Sequence, residues 1–189
     1  MPRRCSALSL ITLAAATVLS ISIALRPARA DDANTAKARE LVQAAIKMQD
    51  SNEAVKLLWQ ATDIDPTYAD AYVYLGLYYN SRSDFANVVK VYQKLVKNQP
   101  NQVTGYLNIG EAYLSFQPPK NDDALTYFRK AYEVDPKNSF AALRMGEIYA
   151  STGNRDEAVK YLRVALADSV KNPNVSAEAE KTLKQIGAL

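Results

Sequence analysis

Few side chains in this 189-residue sequence could carry out covalent chemistry. There is no histidine, which removes the commonest general base and the commonest ligand of transition metals. The single cysteine, Cys5, precedes a long apolar run near the start of the chain, and the six glycines never form a G-x-G phosphate loop. We therefore predict no catalytic residue, no metal site and no cofactor.

Adjacent acidic residues are the remaining candidates for acid–base chemistry. They occur at Asp122-Asp123 and at Asp156-Glu157. Each pair lies where a helix is predicted to begin, and carboxylates in a first turn stabilise a helix by facing the positive end of its dipole. Because this structural role explains both pairs, the sequence indicates a protein that is not an enzyme.

A sequence phrase recurs three times along the chain. Gly76, Gly110 and Gly146 each follow an apolar residue and each precede a tyrosine by three positions. The glycines are 34 and 36 residues apart. A period of this length is typical of stacked helix–turn–helix units. Since glycine within a helix costs about 1 kcal/mol relative to alanine, we expect each glycine to lie where two helices approach closely.

Prolines mark where the second helix of each unit is predicted to end. Pro66, Pro100 and Pro136 follow the apolar positions of three successive second helices. Proline disfavours helical backbone in the residue before it, so each helix should stop there. Small residues, among them Ala54, Ala124 and Ala158, lie at matching positions of the second helices.

This pattern resembles the tetratricopeptide repeat family over residues 35–172. The resemblance implies an all-α, right-handed α-solenoid of about four helix pairs with a C-terminal capping helix. Residues 1–30 would be a signal peptide or membrane anchor that precedes the repeats. The degenerate first repeat would span residues 31–68 and the second repeat residues 69–102. The third repeat, with a two-residue insertion, would span residues 103–138, the fourth residues 139–172, and the capping helix residues 173–189. An interaction helix is the alternative role for the last segment.

The first thirty residues do not follow the repeat. Arg3 and Arg4 precede an uncharged run from Leu8 to Leu25, and Ala28-Arg29-Ala30 has the form of a signal-peptidase site. We expect cleavage near Ala30 and a periplasmic or thylakoid-lumenal protein. Because the run is about as long as a membrane span, a membrane-anchored protein is the alternative.

The charge of the chain depends on this leader. The full sequence has 23 basic and 20 acidic residues, and its leader contains four of the basic residues and none of the acidic ones. A cleaved chain would be almost neutral. No basic stripe is present, so we expect no nucleic-acid partner.

The family resemblance implies that the first helices of the repeats line a concave groove. Transferred by position, the candidate groove residues are Asp70, Val73, Leu77, Asn80, Leu107, Glu111, Leu114, Phe140, Leu143 and Glu147. This mostly apolar set predicts a helix or extended peptide with apolar anchors, and the two glutamates predict a basic residue in it. The alternative is that the leucines are half-buried between neighbouring helices.

The sequence therefore predicts a non-catalytic adaptor or scaffold that binds a protein or peptide partner. A membrane-tethered assembly factor for a larger complex is the alternative if the leader is retained. Self-association stays open. The sequence also leaves open an exposed aromatic patch with Tyr74 and Tyr78 and an exposed Phe116 in the insertion, although an insertion without a binding role is the preferred interpretation.

Overall fold

The computed structural model describes residues 30–48, 51–168 and 171–189. Every regular element in these ranges is an α-helix, which confirms the all-α prediction. The helices are α1 (Ala30–Lys47), α2 (Asn52–Ile64), α3 (Ala69–Asn80), α4 (Phe85–Asn98), α5 (Val103–Leu114), α6 (Asn121–Val134), α7 (Ser139–Ser151), α8 (Arg155–Leu166) and α9 (Pro173–Gln185). The predicted leader lies outside the described residues.

The helix ends follow from local sequence signals. Helices α2, α4 and α6 each end two residues before a proline, as the proline spacing predicts. At the other ends, polar side chains satisfy free backbone N–H groups. Asp84 accepts a hydrogen bond from the N–H of Asn87 at 3.2 Å, and Asn138 accepts one from the N–H of Ala141 at 2.9 Å. Short turns therefore separate the helices at regular intervals.

The helices stack in chain order. Each helix packs on the next one in the sequence, and α9 packs on both α7 and α8. This arrangement of nearest-neighbour contacts is that of an α-solenoid. Within the part of the chain that the structure describes, no helix combines the length and the hydrophobicity needed to cross a bilayer.

The repeated glycines lie at close helix contacts, as predicted. A Cβ atom added to Gly110 would lie 2.7 Å from the ring of Phe128, and one added to Gly146 would lie 2.6 Å from Cγ of Leu162. In each case the neighbour belongs to the second helix of the same pair. The absence of a side chain on the first helix therefore lets a large apolar side chain of the second helix lie directly against its backbone.

The core runs continuously between the helix pairs. Its largest fully buried side chains include Tyr72, Phe128, Ile109, Met145 and Leu162. Full burial of a side chain of this size stabilises a protein by about 1.5–3 kcal/mol, so these residues dominate the packing energy of the stack.

Phe116, whose exposure the sequence leaves open, is not exposed in the structure. Its ring is half-buried, with its centroid 6.0 Å from that of Tyr113 and 6.1 Å from that of Phe85. These separations are typical of interacting aromatic rings. The two-residue insertion therefore folds its aromatic side chain back over α4 and α5 instead of presenting it to solvent.

Helix α9 covers the last repeat with one apolar face. Ala179 and Leu183 are fully buried in a cluster with Leu162, whereas Lys181 and Lys184 on the opposite face are exposed. The helix begins at Pro173, where the predicted capping segment begins, because proline suits a first helical turn. The guanidinium of Arg155, at the start of α8, donates hydrogen bonds to the carbonyls of Ile186 and Gly187 at the end of α9.

We expect Arg155→Ala to loosen the end of α9 without unfolding the stack. The substitution removes the donors for two carbonyl groups that the helix itself leaves unpaired. Amide exchange over residues 182–189 should become about fivefold faster, which corresponds to about 1 kcal/mol. Hydrogen-exchange mass spectrometry measures this change. Arg163→Ala, a second exposed arginine of α8, is the control, and equal exchange in both variants would contradict the role of Arg155.

Candidate partner-binding groove

Exposed apolar side chains cluster at the N-terminal end of the stack. Val73, Tyr74 and Leu77 are on α3, Ile46 is in the last turn of α1, and Met48 follows that helix; Ile46, Tyr74 and Leu77 line one cavity. Leu77 is 59% exposed and Ile46 is 46% exposed. We call these five residues the apolar patch. Among the described residues, the other large exposed apolar side chains are Val134 and Leu189, which lie on other helices or at the chain end.

A cavity of about 610 Å³ opens within the apolar patch. Its lining residues come from α1, α2, α3 and the residue after α3: Ala45, Ile46, Ala54, Leu58, Tyr74, Leu77, Tyr78 and Ser81. None of these eight side chains is charged. The volume lies in the range of about 300–1,000 Å³ that is common for ligand pockets. The chemistry of the cavity therefore suits large apolar side chains, with hydroxyl groups only at its rim.

Aromatic contacts surround Tyr78, which lines the cavity. The ring of Tyr78 meets that of Tyr79 edge to face, with centroids 5.3 Å apart. The Tyr79 hydroxyl accepts a hydrogen bond from Nε1 of Trp59 at 3.2 Å, and the guanidinium of Arg82 lies 3.8 Å from the centroid of the Tyr78 ring. Since Trp59 is the only tryptophan of the chain, its fluorescence reports on this region.

The C-terminal half of the predicted groove contains a cluster of charges. Nε of Arg144 on α7 lies 2.8 Å from Oε1 of Glu111 on α5, in an ion-pair contact that is not aligned as a hydrogen bond. Nη2 of Arg144 donates to Oε2 of Glu111 at 3.0 Å, and Nη1 donates to Oε2 of Glu147 at 2.9 Å. We call these three residues the charge cluster.

The charge cluster is half-buried and sits on an aromatic ring. The side chains of Arg144, Glu111 and Glu147 are 30%, 37% and 25% exposed. Cζ of Arg144 lies 5.0 Å from the centroid of the Phe140 ring, within cation–π range. Burial opposes the charge on Arg144, but its contacts with the two carboxylates outweigh that effect and raise its pKa further. The arginine is therefore charged at every physiological pH.

The structure divides the predicted groove residues into three groups. Asp70, Val73, Leu77 and Asn80 on α3 are exposed, so the predicted surface exists there. Leu107, Leu114 and Phe140 are half-buried. Leu143 is only 4% exposed and belongs to the core, which corrects its placement in the groove. It shares a buried cluster with Ala179 and Leu183 because α9 packs over this part of α7.

Sequence reasoning missed Arg144 and Met48. Arg144 lies three residues before Glu147, and this spacing places the two side chains on one side of a helix. Its contact with Glu111, 33 positions earlier in the chain, depends on the packing of the stack. The position-by-position transfer also gave no role to Met48, which lies just after the last turn of α1.

Other titratable groups are accounted for by structural contacts. Asp65 is buried and accepts hydrogen bonds from Oγ1 of Thr35 and Oγ1 of Thr67, both at 2.6 Å. Burial raises the pKa of Asp65, but these bonds outweigh it and leave the pKa below its ordinary value. The bonds join α1 to the turn after α2. Within the described ranges, no group of three or more acidic residues is placed to hold a metal ion.

Comparison with known proteins agrees with this architecture. Family models described as tetratricopeptide repeat match residues 28–103 and 120–180. The chain is similar to tetratricopeptide repeat protein 21B of Mus musculus, with 23% identity over 68% of this chain and 10% of the relative. It is also similar to Hsp70-Hsp90 organizing protein 3 of Arabidopsis thaliana, with 27% identity over 74% of this chain and 25% of the relative. It thus spans a quarter or less of these relatives.

A solved structure shares the fold. The chain superimposes on the TPR2B domain of yeast Sti1, solved as a complex with pHsp70, with a TM-score of 0.57 and 25% identity. The match covers 63% of this chain and 95% of that domain. The stacked helix pairs, the glycines at their contacts and the two family matches lead to one conclusion: this chain belongs to the tetratricopeptide repeat family.

Proposed function

We propose that this protein is a non-catalytic adaptor that holds a segment of another protein on the apolar patch. The observation that carries the proposal is the group of exposed large apolar side chains at the α1 and α3 end, three of which, Ile46, Tyr74 and Leu77, line one cavity. Exposed apolar surface is costly in water and commonly marks a binding site. Proteins built from tetratricopeptide repeats are generally interaction adaptors or scaffolds, which supports the same assignment.

The cavity favours an amphipathic helix as the bound segment. Its uncharged lining would leave a charged anchor without a partner, so the inserted side chains should be apolar. A volume of about 610 Å³ accommodates more than one large side chain. Apolar side chains three or four positions apart on a helix lie on one face and can enter the cavity together. This is the helix-in-groove mode of recognition, confined here to α1 and α3.

We expect Leu77→Asp to abolish partner binding while the stack stays folded. Leu77 is more than half exposed, so the substitution should change the melting temperature little, whereas a charge in an apolar contact should weaken binding about 30-fold or more. The matched control is Val134→Asp, which introduces the same charge at an exposed apolar residue of another helix. Binding is measured with the partner identified by photocrosslinking.

The crosslinking experiment also tests the nature of the partner. A photoreactive residue is placed at Tyr74 on the patch or at Val134 outside it, and the attached peptides are identified by mass spectrometry. The proposal predicts that the Tyr74 products come from one amphipathic segment and disappear with Leu77→Asp. The patch is ruled out as the binding site if both positions give the same crosslinked products. It is also ruled out if the Tyr74 products still form in the Leu77→Asp variant.

We further infer that the adaptor works outside the cytoplasm. The inference rests on the charged start, the apolar run from Leu8 to Leu25 and the Ala28-Arg29-Ala30 sequence. N-terminal sequencing of the native protein tests it. A chain that begins at Asp31 supports a periplasmic or lumenal adaptor. An intact leader in the membrane fraction supports the tethered assembly factor, and an intact leader in the soluble fraction contradicts both.

A further inference from the structure

The charge cluster presents a different surface from the one that its two glutamates by themselves would present. Glu111 and Glu147, considered by themselves, predict a basic side chain in the partner. In the fold, however, Arg144 already contacts both carboxyl oxygens of Glu111 and one oxygen of Glu147. Only Oε1 of Glu147 lies outside these contacts.

We propose that Arg144 occupies the acidic part of the groove, between Glu111 and Glu147, and is therefore a specificity-determining residue. This inference rests on the proposed function. Arg144 takes the position that a partner's lysine or arginine would otherwise take between α5 and α7. The partner is thereby restricted to a segment that binds through apolar side chains on α1 and α3, with no basic residue facing α5 and α7.

Three features hold Arg144 in this position. All three nitrogens of its guanidinium contact the two carboxylates. The planar guanidinium of arginine is well suited to such paired contacts. Its charge also lies over the Phe140 ring. An incoming ammonium group would meet the guanidinium charge at close range, and repulsion between like charges at such distances is substantial in a half-buried site.

The remaining negative charge does not restore a cation site. Two carboxylates and one guanidinium leave one negative charge, and Oε1 of Glu147 is the one carboxylate oxygen of the cluster that Arg144 does not contact, so we expect a partner cation to form a single ion pair there. A single ion pair of that kind strengthens binding by about fivefold or less. Without Arg144, two half-buried carboxylates would face the groove, and charged hydrogen bonds to both would strengthen binding about tenfold or more.

The test uses octalysine as the probe, because this peptide has no apolar anchor and does not need the apolar patch. Wild-type protein and Arg144→Gln are titrated with octalysine at low ionic strength, and amide shifts of Glu111 and Glu147 are followed by NMR. We expect at least about tenfold tighter binding at these two residues in Arg144→Gln. Arg144→Gln combined with Glu147→Gln is the control and should bind octalysine as weakly as the wild type.

The outcomes separate this inference from the proposed function. The role of Arg144 is overturned if wild type and Arg144→Gln bind octalysine equally at Glu111 and Glu147, or if neither binds it. Either result leaves the proposed function of the apolar patch unaffected. Leu77→Asp should not alter the octalysine titration. If Arg144→Gln does not fold, Arg144→Lys replaces it, because one ammonium cannot bridge both glutamates and should give intermediate binding.

Discussion

Truncation after Lys171 is expected to destabilise the whole stack and make it aggregate. The deletion removes α9, whose Ala179 and Leu183 are fully buried, and it exposes the apolar surface around Leu143 and Leu162. Burial of Leu183 alone stabilises by about 1.5–3 kcal/mol, and the rest of the interface raises the loss to about 3–6 kcal/mol. Since domains are stable by only about 5–15 kcal/mol, most of the margin disappears.

Thermal unfolding by circular dichroism and size-exclusion chromatography measure this effect. A milder version, Leu183→Ala, should cost about 2–5 kcal/mol because it leaves a cavity under α9. The control is the pair Lys181→Ala and Lys184→Ala on the exposed face, where two surface ion pairs contribute about 1 kcal/mol or less each. If the truncated chain melts like the full chain and remains monomeric, α9 is an interaction helix and not a cap.

We expect Gly146→Ala to destabilise the protein although alanine is the better helix former. Helix propensity alone would favour alanine by about 1 kcal/mol. The new Cβ would, however, lie 2.6 Å from Cγ and 3.1 Å from the backbone N of Leu162. Because the backbone cannot move aside as a side-chain tip can, we expect a net loss of about 2–3 kcal/mol. The sign of the change in the free energy of unfolding therefore shows whether close packing or helix propensity dominates at this position.

A double-mutant cycle identifies the cause of that loss. In a Leu162→Ala background the clashing side-chain atoms are gone and only the contact at 3.1 Å with the backbone N of residue 162 remains, so Gly146→Ala should cost less than it does in the wild type. Gly76→Ala is the comparison, because its Cβ would meet the hydroxyl end of Tyr92, which can swing away. We expect Gly76→Ala to cost less than Gly146→Ala. Equal costs in all backgrounds would contradict the packing explanation.

Local sequence signals account for the helices of this protein. The stops before Pro66, Pro100 and Pro136 depend on backbone geometry within a few residues, so they can be predicted without any knowledge of neighbours. The period of about 34 residues repeats the same local pattern and so predicts a stack. The glycines could also be interpreted correctly, because glycine within a helix needs a reason and a close contact is the usual one.

The position of a residue within its repeat did not predict the exposed fraction of its side chain. Val73 and Leu143 occupy the same position of their repeats, yet Val73 is 41% exposed and Leu143 is 4% exposed. The difference arises because α9 packs on α7, and none of the described helices covers α3 in the same way. Likewise, the glutamates at matching positions are joined by an arginine of the same chain. Such effects depend on which elements become neighbours after folding.

The sequence by itself therefore determined the helical repeat, the helix ends and the close glycine contacts, since each depends on chemistry within one helix pair. Only the tertiary structure decided which part of the concave surface stays open. Among the described residues it gathers most of the large exposed apolar side chains at the α1 and α3 end, places Arg144 between Glu111 and Glu147, and places Leu143 under α9. Burial and ion pairing are properties of neighbours, and residues far apart in the chain become neighbours only in the folded stack.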